Sequence, residues 1–148
     1  MADQQPDQDV RKMLLKWSVH HFKLPEVDDQ AFAKWYTEVQ VPQMMKIVQR
    51  HGILKYTLYI TPTYLRQGFE AEIKEQKSAP GWKLAPFDVT STYWVDDPDK
   101  LKAMLADPDW ENIVIASERP WIDTERAECQ VGFETTFLED GEIVNVKP

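Results

Sequence analysis

The sequence is poor in several features that would place a protein in a familiar class. It holds one cysteine, Cys129, which excludes an internal disulfide and favours a reducing compartment. No apolar run approaches the roughly 20 residues that a membrane-spanning helix needs. The first residues are polar and acidic, without the character of a secretory or mitochondrial signal. A soluble, cytoplasmic protein is therefore expected.

Positive charge and glycine are also scarce. The chain has 17 Lys and Arg against 25 Asp and Glu, which argues against a nucleic-acid partner because phosphate binding depends on basic side chains. Its five glycines are scattered and form no phosphate-binding loop, and a Gly-x-Ser-x-Gly elbow is absent. Nucleotide-dependent enzymes and serine hydrolases are therefore excluded.

Aromatic residues, by contrast, are plentiful, with 6 Trp, 5 Tyr and 6 Phe. Some of this aromatic area will form the core, and some is expected to line a site for a flat ligand. With 148 residues the chain is long enough to bury a core without metals or disulfides. We predict a disordered tail over residues 1–10 and a single domain over residues 11–148.

Four stretches have the alternation or the β-branched content of strands: residues 13–21, 53–61, 87–95 and 130–138. A first helix is predicted to begin at a cap at Asp28 and to kink or start afresh at Pro42. A second helix is predicted over 63–77, and a third begins at Asp97-Pro98. This order predicts an α+β fold, the ferredoxin-like split βαβ arrangement with a four-stranded antiparallel sheet. Such a sheet carries helices on one face only, so a homodimer is expected to cover the other face.

Two histidines stand where the first strand ends, and they are the leading catalytic candidates because histidine titrates near neutral pH. Side chains alternate along a strand, so His20 and His21 point to opposite faces and cannot share one metal ion. No metal site is predicted. The alternation from Leu15, Trp17 and Val19 places His21 toward the helices, where we expect the pocket, and His20 toward the partner. A β-bulge would reverse this, so both histidines are kept.

Two other titratable residues are weighed with them. Asp88, near the start of the third strand, is a candidate general base or a candidate residue for orienting a histidine. The alternative is a carboxylate of a turn or sheet edge without a catalytic role. His51 lies at the end of a helix, where a histidine more often compensates the helix dipole than acts as a catalyst.

Two sets of motifs spread over residues 13–138 carry a family pattern. The first set is His20-His21, Pro25, Asp28, Phe32, Trp35-Tyr36 and Glu38-Val39-Gln40-Val41-Pro42. The second set is Phe87-Asp88-Val89, Tyr93-Trp94-Val95, Asp96-Asp97-Pro98 and Ala106-Asp107-Pro108. Together they resemble the EthD-domain family of dimeric α/β barrels, especially its members in fungal polyketide gene clusters. In that pattern a histidine stands at the position of Gln40, which cannot act as a base, and Lys or Arg often replaces the histidine pair.

The resemblance implies a small, cofactor-free enzyme that decarboxylates or dehydrates an anthraquinone- or anthrone-type aromatic polyketide through an enol or enolate. Our first hypothesis is therefore a lyase in which His20 or His21 exchanges protons and Asp88 assists. Substrate contacts are placed on residues in and beneath the first helix: Trp17, Phe32, Trp35, Tyr36 and Gln40. The alternatives are a non-catalytic module that binds a hydrophobic aromatic ligand and a cofactor-free anthrone oxygenase on the same fold.

Overall fold

The computed structural model describes residues 14–78 and 80–148. The predicted tail over residues 1–10 lies outside them. The strands are β1 (Leu15–Lys23), β2 (Lys55–Ile60), β3 (Val89–Val95), β4 (Ile122–Phe133), β5 (Leu138–Glu139) and β6 (Glu142–Ile143). The α-helices are α1 (Asp29–Trp35), α2 (Val41–Arg50), α3 (Thr63–Glu75), α4 (Pro98–Ala106) and α5 (Ala116–Glu118), with π-helical turns over Tyr36–Gln40 and Trp110–Ile115. No helix in the two described ranges is long and apolar enough to cross a membrane.

Four strands form an antiparallel sheet in the order β2-β3-β1-β4. The predicted α+β, ferredoxin-like fold is confirmed. The register defines two faces, since Tyr93 of β3 stands opposite Trp17 of β1, whereas Thr90 stands opposite His20. The Tyr93 face packs against α1, α2 and α4 to form the core. We call the Thr90 face the open face.

The fresh helix start predicted at Pro42 takes the form of a π-helical turn. Over Tyr36–Gln40 the backbone widens, so that Val41 N donates to the carbonyl oxygen five residues earlier. α2 then begins with Pro42 in its first turn, where a residue without an N–H is tolerated. The change of helical phase leaves Val39 at 49% exposure and buries Gln40 completely. Helical spacing predicts that Val39 continues the apolar stripe of Phe32, Trp35 and Tyr36, and its exposure shows that this prediction is wrong.

Alternation predicts the fourth strand at residues 130–138, and the strand exists but its predicted bounds are wrong. β4 spans Ile122–Phe133, and most of its first half is exposed. An edge strand buries little, so no apolar alternation marks it. The apolar residues that suggested a longer strand lead into a hairpin of β5 and β6, turned at Asp140 and Gly141 with φ of 51° and 79°. Positive φ at both positions is typical of a tight hairpin turn.

Candidate active site

A cavity of about 540 Å³ lies on the open face of the sheet. Its sheet side includes His20 and Thr90, and α3 contributes Leu65 and Phe69. The segment before β3 contributes Phe87. A volume of this size is typical of a site for a small organic molecule, and the apolar and aromatic walls suit a flat ligand.

The His20 ring is held in one orientation by two contacts. Its Nδ1 lies 2.7 Å from Thr90 Oγ1 across the β1–β3 register. The ring also stacks on Phe87, with centroids 4.5 Å apart and planes inclined by 17°. Because Nδ1 is engaged by the threonine, Nε2 is the nitrogen that can exchange a proton with a ligand.

Arg66 fastens α3 to the sheet beside the cavity. Its Nη1 donates to the carbonyl oxygens of Thr61 at 2.7 Å and Phe87 at 2.6 Å, and its Nη2 donates to Asp88 Oδ1 at 3.0 Å. Asp88 Oδ2 accepts a hydrogen bond from Lys23 N at 2.9 Å. The predicted role of Asp88 as orienter of a histidine is corrected here, since its two oxygens bond to the arginine and to a backbone N–H. Asp88 and Arg66 instead fix the backbone that presents Phe87 to the histidine.

His21 lies on the face opposite to the cavity. The strand alternation predicts that His21 faces the helices, and the irregularity in the β1–β4 pairing falls after it, between His21 and Lys23. Its Nδ1 is buried without a hydrogen-bond partner. Burial, with a smaller effect of charge on His20, lowers the pKa of His21 to about 4. His21 is therefore neutral at physiological pH, and the expectation that the pocket lies on its side of the sheet is corrected.

The helix-facing side holds a buried polar cluster beneath α1 and α2. The hydroxyl oxygens of Tyr36 and Tyr56 lie 3.2 Å and 2.7 Å from Ser91 Oγ. Gln40 Nε2 donates to Glu118 Oε1 at 3.3 Å. Burial raises the pKa of Glu118 to about 7 and that of Tyr56 to about 12. The two tyrosines are therefore neutral at physiological pH, whereas Glu118 titrates close to it, and these side chains satisfy one another's hydrogen bonds inside the core.

The residues assigned to substrate contact belong to this side of the sheet: Trp17, Phe32, Trp35, Tyr36 and Gln40. Phe32, Trp35 and Tyr36 are 2%, 7% and 1% exposed and pack against one another as rings. Trp35 also stacks on Trp121, with centroids 5.1 Å apart. None of the five lines the open-face cavity. Their aromatic stripe marks the core, which is the commoner meaning of such a pattern.

His51 is likewise apart from the cavity. Its Nε2 lies 2.7 Å from Asp107 Oδ2, and Arg50 bonds to the same carboxylate. These hydrogen bonds, that from His51 first, hold the pKa of Asp107 well below its usual range. The cluster joins the end of α2 to the end of α4, so His51 serves as a helix-end residue, the reading that its position also favoured.

Sequence reasoning missed Thr90, Arg66 and Phe87 as parts of the site. Strand alternation predicts that Phe87 shares a face with Val89 and Tyr93, but Phe87 precedes the first residue of β3 and its ring contacts His20 on the open face. One sequence signal could have indicated the cavity: Leu65 and Phe69 stand four residues apart on an otherwise polar helix. In the structure this helix has no buried residue, and both side chains line the cavity. No group of three or more His, Cys, Asp or Glu side chains in the described ranges is placed to hold a metal ion.

The fold and the cavity define a ferredoxin-like α+β domain with an aromatic, histidine-bearing site on the open face of its sheet. A family model, the EthD domain, matches residues 24–125. The chain therefore belongs to the EthD domain family.

Among characterised relatives, "Dehydratase iacD" of Pestalotiopsis fici is 28% identical over 137 residues, covering 93% of this chain and 97% of the relative. "Decarboxylase AgnL1" of Paecilomyces divaricatus is 19% identical over 123 residues, covering 83% and 80%. A crystal structure of an EthD family protein from Bacillus halodurans aligns with a TM-score of 0.52 and 16% identity, over 83% of this chain and all of that chain. This structural likeness concerns the fold alone.

Proposed function

We propose that this protein is a cofactor-independent lyase that dehydrates or decarboxylates an aromatic polyketide, with His20 as its acid–base residue. The observation that carries the proposal is the His20 ring, fixed by Thr90 and Phe87 at the wall of an apolar cavity. The names of the relatives, a dehydratase and a decarboxylase, support the reaction class. Membership of the EthD domain family supports the same assignment.

For a dehydration, neutral His20 takes a proton from the carbon next to a carbonyl group, and the electrons of that C–H bond form an enolate. The enolate expels the hydroxyl group on the adjacent carbon, which takes a proton from the imidazolium and leaves as water. The new double bond completes an aromatic ring. For a decarboxylation, the C–C bond to the carboxylate breaks, carbon dioxide leaves, and the bond electrons form an enolate with the neighbouring carbonyl group. His20, starting in its imidazolium form, then protonates the enolate carbon. Arg66 also lines the cavity, where its ion pair with Asp88 holds the wall in place.

We also propose that two copies pair through their open faces. The core helices α1, α2 and α4 pack on the other face. The open face carries Tyr59 at 65% exposure, and the ammonium groups of Lys16 and Lys55, which lie over the buried Trp94 ring. A second copy would cover these side chains and roof the cavity, which would keep water from the enolate.

The test is mass spectrometry of an anthrone-type polyketide carboxylic acid and a hydroxylated precursor after incubation with the metal-free protein. Loss of carbon dioxide or of water identifies the reaction. The His20→Gln variant is expected to lower the rate at least about 100-fold, since a general acid–base residue contributes about 10²–10⁴-fold. The His21→Gln variant, changed on the other face, is expected to keep most of the rate. Circular dichroism checks that both variants are folded.

Three results would contradict the proposal. An unchanged substrate that co-elutes with the protein would indicate the binding module. Oxygen consumption would indicate an anthrone oxygenase. A rate that falls with His21→Gln and persists with His20→Gln would move the chemistry to the helix-facing side of the sheet.

A further inference from the structure

A second hollow, of about 230 Å³, adjoins the cavity on the open face. Its lining includes Lys16 and Ser18 of β1 and Gln130 and Gly132 of β4. Gln130 also lines the first cavity. The two hollows therefore meet at this side chain and form one groove along the strand direction. We call the second hollow the polar end of the groove.

The chemistry changes from one end of the groove to the other. Aromatic and aliphatic side chains line the end that holds His20. At the polar end, Ser18 Oγ lies 3.0 Å from Thr92 Oγ1. Lys16 Nζ forms an ion pair with Glu134 and lies 5.3 Å from the centroid of the Trp94 ring. A ligand lying along this groove would meet apolar walls first, then hydroxyl groups, and then an ammonium group.

The spacing along β1 fixes the length of such a ligand. Lys16, Ser18 and His20 alternate onto the same face of the strand. His20 follows Lys16 by four positions along the strand, which is about 13 Å at the usual rise per residue. A ligand that touches both side chains must therefore be elongated.

The polar end has room for a ligand group because Gly132 stands opposite Lys16 in the β1–β4 pairing. A Cβ atom added at Gly132 would meet nothing within 4 Å. The missing side chain leaves open space beside the ammonium group. It also offers a way to fill that space without disturbing a neighbour.

We infer that the Lys16 end of the groove is a subsite for the anionic end of an elongated aromatic ligand, a carboxylate or an ionised phenol on the ring farthest from His20. The inference rests on the proposed function, because it extends the ligand of the same site. An ammonium group beside the Ser18 hydroxyl can bind a carboxylate by charge-assisted hydrogen bonds. Glu134 also lines the hollow and pairs with Lys16, so the anionic end of the ligand would have to displace the Glu134 carboxylate.

Calorimetric titration of the full chain tests the subsite with two three-ring probes and one short probe. The three-ring probes are anthraquinone-2-carboxylate and the uncharged 2-hydroxymethylanthraquinone, and the short probe is 2-naphthol. The wild type is expected to bind the carboxylate about fivefold more tightly than the alcohol, the effect of a partly exposed ion pair. The Lys16→Met variant is expected to lose this preference. The Lys46→Met variant, changed at an exposed lysine of α2, is expected to retain it.

The Gly132→Leu variant tests the position of the subsite by filling it. We expect it to weaken both three-ring probes about tenfold through steric overlap and to leave 2-naphthol binding unchanged. Equal affinity for acid and alcohol in the wild type, or a preference that survives Lys16→Met, would overturn the subsite and leave the His20 assay unaffected. Failure of all three probes to bind would overturn the subsite together with the aromatic ligand class on which the proposed function depends.

Discussion

His20 and His21 show how far two adjacent residues of one type can differ. The first lies at the wall of a cavity with a threonine on its Nδ1. The second is buried, with an unpaired Nδ1 and a pKa lowered to about 4. Because a general base works best when its pKa is near the working pH, the second histidine is poorly suited to proton transfer. Strand alternation alone produces this difference, since it sends the two rings to opposite faces.

Glu118 allows a stability prediction that does not depend on activity. Burial raises its pKa from 4.5 to about 7, so the neutral form is favoured in the folded state. Its contribution to stability is complete below pH 4.5 and is lost as the pH rises through 7, a change of about 3 kcal/mol. The Glu118→Gln variant keeps an oxygen for Gln40 and cannot ionise. We expect it to match the wild type at pH 5 in urea unfolding and to exceed it by about 2–3 kcal/mol at pH 8.5.

A suitable control for this experiment is Glu38→Gln, changed at an exposed glutamate of the first π-helical turn. Its unfolding free energy is expected to follow that of the wild type between pH 5 and pH 8.5. If the free energies of unfolding of the wild type and Glu118→Gln change in parallel with pH, folding does not raise the pKa of Glu118.

At the scale of elements, α3 differs from the helices of the core. None of its residues is buried, whereas α1, α2 and α4 each bury residues. Its apolar side chains face the cavity rather than the core. The helix is attached near its first turn, where Thr63 N donates to Asp29 Oδ2 at 2.9 Å and Arg66 bonds to the ends of β2 and β3. Its stability therefore depends on a few polar contacts and on whatever fills the cavity.

Replacing Arg66 is expected to release this helix while the sheet stays folded. Hydrogen bonds from a charged group are worth more than neutral ones, so the Arg66→Met variant is expected to exchange the amide hydrogens of residues 63–75 at least about tenfold faster. Exchange in β1 and β3 should be unchanged. The Gln67→Met variant is the control, since Gln67 is an exposed neighbour on the same helix. Unchanged exchange in residues 63–75 would show that α3 is held by contacts other than those of Arg66.

The π-helical turns also act at this scale. Both turns contribute to the same buried polar cluster. Gln40 lies in the first turn, and its Nε2 donates to the carbonyl oxygen of Val114 in the second turn at 3.2 Å. Turns of this kind are rare and often stand at functional positions. Here they bring a polar amide into the core at the position where the family pattern has a histidine.

For the whole molecule, the proposed pairing of open faces predicts an assembly of twice the 17.3 kDa chain mass in sedimentation at micromolar concentration. The Thr57→Glu variant adds a charge on the open face, opposite Thr92 in the β2–β3 register. We expect this variant to sediment as a monomer, because an unpaired charge is costly to bury in an interface. The Lys46→Glu variant, on the exposed side of α2, should remain a dimer. If the wild-type protein sediments as a monomer, the proposed pairing of open faces is wrong.

Several features of this protein follow from the sequence alone because they depend on local rules. Strand alternation decides that His20 and His21 face opposite sides, and the Asp28 and Asp97 caps decide where two helices begin. The order of strands and helices decides the α+β, ferredoxin-like fold. Each of these depends on neighbours a few residues apart, which the sequence shows directly.

Only the tertiary structure decides which face of the sheet carries the cavity. That choice depends on where α3 packs, and bonds from Arg66 to backbone groups up to 21 residues away hold it there. The ring of Phe87 lies on the open face because Phe87 precedes the first residue of β3, so the alternation of side chains along the strand does not apply to it. The sequence predicts a fresh helix start at Pro42, but the π-helical turn before it, which buries Gln40, is decided by packing. Contacts between segments distant in sequence cannot be read from the periodicity of the chain, and these contacts determine where the site lies.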